Sequence, residues 1–211
     1  MGLEAPISPR GVDHIGPFEA GLHYGPVLDP LQIYALRVAL RLNPLLQPLA
    51  ATGARPELKW DMRLPSSDCR RSGDPMYMAW RNGRHESATF PRVTSLRLVS
   101  GAISVAARNP DVGVTCGEFI DGISRHIDQL LKVTEYDALP GIQKDALRRA
   151  YLSRADGVPG GKLMRRLDCL RRNMTFGGLW DRDALACTFE LVCIPHDPQR
   201  RLGGMKMPRV V

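Results

Sequence analysis

Residues able to do chemistry fall in a few places along this 211-residue chain. Cys187, Cys193 and His196 are the one grouping of soft ligands that suggests a metal. Read as a strand, six residues at about 3.3 Å each hold the two sulfurs roughly 20 Å apart, too far to share a zinc ion. Both cysteines are therefore expected as small apolar core residues, and no metal or cofactor is expected. His85-Glu86 has the types for an acid and base pair, but adjacent loop residues seldom face the same way, and the pair reads as solvated surface. His126, set among Ile123, Ile127 and Leu130, reads as a boundary histidine rather than a general base. Cys116 lies in the first turn of an expected helix, where backbone amides lower a thiol pKa. With no base or resolving cysteine beside it, it reads as a small residue filling the helix entry. No GxSxG, HExxH, Walker or GxGxxG string occurs, so no catalytic residue is expected.

The densest cationic grouping is Arg165, Arg166, Arg171 and Arg172, with Met174, Phe176 and Trp180 downstream. Arginines interleaved with aromatics suit single-stranded nucleic acid, the guanidinium for phosphate and the ring for stacking. The candidate anion-binding set is Arg165, Arg166, Arg171, Arg172 and Trp180. As a strand, however, Arg166 shares a face with Asp168, which neutralises part of the patch, and paired arginines at strand ends also act as solvated edges. The net charge of +7 permits acidic partners. Of the 29 cationic residues only five are lysines, and the 24 scattered arginines favour forked ion pairs over an electrostatic tail. A second candidate set is apolar. Met76, Tyr77, Met78 and Trp80 cluster in a polar stretch, either as a tether docking it on the core or as a recognition surface. With Tyr34 and Val38 they form the candidate partner-binding residues.

The elements that must position these groups follow from patterning. Residues 1–30 carry five prolines and many glycines and read as an irregular arm. LQIYALRVALRL, residues 31–42, has no breaker and predicts a helix ended by Asn43-Pro44, its apolar faces buried on the sheet or on a second chain. Leu58, Trp60, Met62 and Leu64 alternate with Lys59, Asp61 and Arg63, predicting a strand over 57–64. Residues 66–91 read as a long loop. Residues 93–99 and 102–108 form a hairpin about Ser100-Gly101. Thr115 and Glu118 make a capping box ahead of the stripe Phe119, Ile120, Ile123, Ile127, Leu130 and Leu131. Thr134 caps a further turn, and residues 143–155 form a second helix with Ala146, Leu147, Ala150 and Tyr151 on one face. Residues 163–170 fit helix and strand alike. Residues 187–194 are apolar on both rows, as in a central strand, and 196–211 read as a flexible tail. The most apolar window, 31–51, is broken by Arg37, Arg41, Asn43, Pro44 and Pro48, so no membrane span is expected. Five cysteines without CxxC spacing, and no signal peptide, point to an intracellular protein, cytoplasmic or nuclear.

The order of these pieces resembles a domain family of unknown function found mainly in mushroom-forming basidiomycete fungi, over about residues 40–195. The resemblance rests on Trp60-Asp61 after a Pro-Leu-Leu segment, and on Val114, Thr115 and Glu118 at the helix start. Arg166 and Asp168, then Phe176, Gly178 and Leu179, complete it. It implies a fungal origin and a strand pair over 163–180, and brings no activity or ligand. The unusually long first arm and the loop 66–91 depart from the family pattern. The expected architecture is one α+β domain over 31–195, an antiparallel sheet of about five strands covered on one face by two helices, with a further N-terminal helix. The expected function is a non-catalytic module binding a protein, another copy of the chain included. Nucleic-acid or phosphoanion binding is the alternative, and an enzyme joining Asp61, His85, Glu118, His126 or Asp168 in a pocket is the third reading.

Overall fold

The computed structural model describes residues 18, 26–48, 57–75, 78, 80–81, 83–101, 103–155, 163–171, 173–182 and 185–195. Most of the expected arm 1–30, the tail 196–211, and Met76, Tyr77, Arg172 and His196 lie outside the described residues. In chain order the elements are α1 (Pro30–Ala35), β1 (Arg41–Leu42), β2 (Leu58–Lys59), β3 (Arg70–Arg71), β4 (Thr89–Phe90), β5 (Ser95–Ser100) and β6 (Ile103–Arg108). There follow α2 (Cys116–Ile127), α3 (Val133–Asp137), α4 (Gly141–Ala155), β7 (Thr175–Asp181) and β8 (Thr188–Ile194). Short 3-10 turns occupy Pro44–Leu46, Ser66–Asp68 and Arg166–Leu170.

The expected hairpin is present, β5 and β6 pairing antiparallel from Ser95 opposite Arg108 to Ser100 opposite Ile103. The expected central strand is present too, beginning at Thr188, with β8 between β5 and β7. The α+β class holds, but one antiparallel sheet of five strands does not. A four-stranded sheet of order β6-β5-β8-β7 stands beside two separate ladders, β1-β4 and β2-β3. β8 runs parallel to β5, with Leu98 opposite Phe189, and antiparallel to β7. The connection through β6, the helices and β7 supplies the long crossover that a parallel pair requires.

Three expected elements are corrected. The helix over 31–42 is only α1. Asp29 accepts from the amides of Leu31 and Gln32, Gln32 answers on the Asp29 amide, and Pro30 starts the turn. Arg37 then takes a left-handed φ of 52°, and Arg41–Leu42 pairs with β4 instead. The strand over 57–64 shortens to β2 because Asp61 binds the Arg63 amide and guanidinium while Trp60 Nε1 donates to the Leu64 carbonyl, curling the chain. Its alternation survives in burial, since Leu58, Trp60 and Met62 are all buried. The segment 163–180 is no strand pair. Residues 166–170 form a 3-10 turn, and only β7 is a strand.

Two helices covering the sheet is likewise corrected to one. α2 lies on β6 and buries Phe119, Ile120, Ile123 and Ile127, whereas α4 packs on the 166–170 turn. The core is continuous from α2 through the sheet to Trp60, whose ring lies 6.1 Å from that of Phe176. Leu45 and Leu46 close its other end. There the chain passes so near β7 that a Cβ on Gly178, at φ +114°, would stand 2.3 Å from Pro48 Cα. That approach gives the Pro-Leu-Leu and Phe-x-Gly-Leu segments a common physical reason. Among the described residues no helix is long and apolar enough to cross a membrane.

Candidate functional site

Two of the arginines singled out as anion ligands, Arg165 and Arg166, hold acidic side chains of the protein. Arg165 pairs with Asp128. Arg166 reaches Glu135 at 2.7 Å and Gln129 at 2.6 Å, with the His126 ring nitrogens at 3.1 and 3.2 Å. Its Nε is buried without a partner among the described residues. Asp168 is fully buried and receives Arg154 Nε at 2.7 Å, Arg154 Nη2 at 2.9 Å and the Arg165 amide at 2.9 Å. The Arg-x-Asp segment therefore closes a turn and fastens α4 to it. Burial and the Arg166 guanidinium lower the His126 pKa below its ordinary 6.5, so the ring stays neutral and accepts. Arg171 is exposed beside this network, and Trp180 is exposed on β7, opposite Glu190 of β8. The structure thus does not gather the four described members, Arg165, Arg166, Arg171 and Trp180, into one patch, and Arg172 lies outside the described residues.

Of the apolar candidates, Tyr34 lies exposed on α1, Val38 packs against the core, and Met78 is partly exposed. Trp80 is buried, with the Arg84 guanidinium 5.4 Å from its ring. Trp80 is thus a tether of its loop. On α1, Ile33 is the anchor, while Leu31, Tyr34 and Leu36 are 79%, 76% and 66% exposed.

A solvent-connected cavity of about 520 Å³ lies at the head of α2. Arg84, His85 and Ser87 form one wall, Arg92 and Asn109 another, and Thr115, Glu118 and Asp121 of the helix start the third. The capping box holds as expected: Thr115 Oγ1 accepts the Glu118 amide at 3.2 Å, and Glu118 accepts the Thr115 amide at 2.9 Å. The first helical amides are also occupied, Cys116 N on the Glu86 carbonyl at 2.9 Å and Gly117 N on the Arg84 carbonyl at 2.8 Å. A Cβ on Gly117 would stand 2.5 Å from Arg84 Cγ, so only glycine admits the loop this close. Asn43 clamps the loop from behind, donating to Glu86 at 2.9 Å and to the Ser87 carbonyl at 3.0 Å. Burial, reinforced by Glu86, holds the Cys116 thiol well above its usual 9.0, which makes it an inert filler at neutral pH. Of the five groups an enzyme was expected to join, the cavity brings together His85 and Glu118. Asp61, His126 and Asp168 serve elsewhere.

Patterning alone missed Arg84, Ser87, Arg92 and Asn109. His85 and the Thr115–Glu118 box were visible, but what brings loop 84–87 onto the helix is contact across about thirty residues of chain, which no local period encodes. Among the described residues no group of His, Cys, Asp or Glu has the geometry to hold a metal ion.

These features define an α+β domain with one capped helix on a mixed four-stranded sheet and a cavity edged by polar and charged side chains where that helix begins. The chain belongs to a family of unknown function, DUF6699, whose model matches residues 58–188. The cavity lies wholly inside that span and α1 wholly outside it. No curated protein and no solved structure matches the chain.

Proposed function

We propose that this chain is a non-catalytic, intracellular protein-binding module of fungal origin, whose partner, a second copy of the chain included, docks on the outer side of α1. The observation that carries this reading is the exposure of Leu31, Tyr34 and Leu36 on a helix that cannot turn them inward. Ile33 and the Asp29 capping box fix its rotation, so the three side chains stand in water whatever the solvent prefers. Burying each one fully would contribute about 1.5–3 kcal/mol, enough for a small patch to matter in association. The nucleic-acid reading is weaker because Arg165 and Arg166 already hold Asp128 and Glu135.

The test is the triple variant Leu31→Ser, Tyr34→Ser, Leu36→Ser, examined by light scattering at micromolar concentration and by capture of binding proteins from the native cell. The expected result is an assembly or a captured partner that the variant loses while its melting temperature holds. A monomeric parent whose captured partners match those of the variant would remove this proposal.

A further inference from the structure

We propose that the cavity at the head of α2 is a binding site for a small metabolite carrying an oxyanion, a carboxylate or a phosphate. The argument is a count of what the walls leave available. Both acids of the cavity are already satisfied by the protein. Glu118 takes the Asn109 side-chain amide at 2.8 Å on one oxygen and the Thr115 amide on the other. Asp121 takes Ser66 Oγ and Arg84 Nη2, each at 2.6 Å.

The donors are in the opposite condition. Thr115 Oγ1 uses a lone pair on the Glu118 amide and keeps its own proton. Arg84 uses Nη2 on Asp121 and leaves Nε and Nη1 without a hydrogen-bond partner among the described residues, its guanidinium lying over the Trp80 ring. His85, exposed at the cavity, has no hydrogen bond to any described residue. Ser87 is the sharpest instance. It is only 4% exposed and lines the cavity, its amide and carbonyl are both engaged, and its hydroxyl has no partner among the described residues. Unlike Arg166 Nε, the Ser87 oxygen is not fully buried, so it is reached from outside, and the cavity it lines is where a partner can come from. Arg92, itself buried, adds a second guanidinium to the wall. Satisfied acids, open donors and two guanidinium groups select a ligand rich in acceptors and negatively charged. The volume suits a compact molecule and not a polymer. Side chains make this site, since the helix amides are already occupied.

The test is an amide-shift titration of the full chain with inorganic phosphate, phosphoserine and succinate in separate arms. At least one anion is expected to bind saturably, with shifts concentrated at residues 84–87 and 115–121, and the arm that binds tightest tells phosphate from carboxylate. Ser87→Ala and His85→Gln should each weaken that binding about tenfold, as loss of a hydrogen bond to a charged ligand does, while Arg148→Gln, exposed on α4, which contributes nothing to the cavity wall, leaves it unchanged. Shifts scattered over the arginine-rich surface and unsaturated, no binding in any arm, or equal affinity in the Ser87→Ala, His85→Gln double variant would each overturn the assignment. None of these results bears on α1, so this site and the proposed protein contact fail separately.

Discussion

Arg154 and Arg84 each grip an aspartate at 2.5–2.7 Å, but Asp168 is fully buried whereas the Asp121 side chain is 34% exposed. Around Asp168 the donors converge on both oxygens from α4 and from the turn itself. Around Asp121 one arginine and one serine suffice, and neighbouring donors look into an open cavity. Identical residue types thus do two jobs. An ion pair removed from water holds the fold because its charges have nowhere else to go, while a pair left at the rim holds little and keeps groups available for a ligand.

The strongest way to break this contrast is Asp168→Asn, which keeps the shape and removes the charge. It leaves the Arg154 guanidinium buried and uncompensated, and we expect a loss of about 3–5 kcal/mol in urea unfolding. A loss below about 1 kcal/mol, the level of an exposed pair, would mean that the turn is not held by this bond.

Acid tests the same region by another route. His126 must stay neutral to accept from the Ser104 amide, at 3.4 Å, and to tolerate the Arg166 guanidinium beside it. Its folded pKa is lowered from 6.5, so below that pH the unfolded chain binds the proton more readily than the folded one. Its contribution is complete above pH 6.5 and declines as pH falls through the lowered folded value. Glu135, pulled below 4.5 by Arg166, acts in the same direction at lower pH. Urea midpoints taken from about pH 7.5 to about pH 5 should fall, and His126→Asn should flatten that fall. An equally steep decline in the variant would move the cause elsewhere.

What the sequence made legible follows from how local each cause is. The Thr115–Glu118 box and the hairpin about Gly101 are set by neighbours a few residues apart, and both appear as expected. The length of α1 is not legible locally, because its cap is Asp29, inside a stretch whose prolines read as an arm, and because Arg37 leaves the helix without any breaker to announce it. Placing Arg166 and Asp168 on one strand face suggested mutual neutralisation. Asp168 instead finds Arg154, fourteen residues back on α4, and Arg166 finds Glu135. Partners chosen across the fold have no period, and the cavity walls belong to the same class.

At the rim the expected effects on stability are small, and their smallness is informative. Arg84→Gln removes a half-exposed pair and should cost about 1 kcal/mol or less. Ser87→Ala is the finer measurement. A hydroxyl that faces the cavity without a partner in the protein contributes no internal hydrogen bond, so its removal should change stability by no more than about 0.5 kcal/mol. A cost above about 1 kcal/mol would show that the hydroxyl is already bonded within the protein, and would place Ser87 with Asp168 among the groups that hold the fold. Neutral stability with intact folding puts it on the other side of the contrast, as a side chain whose polarity the folded protein alone does not use.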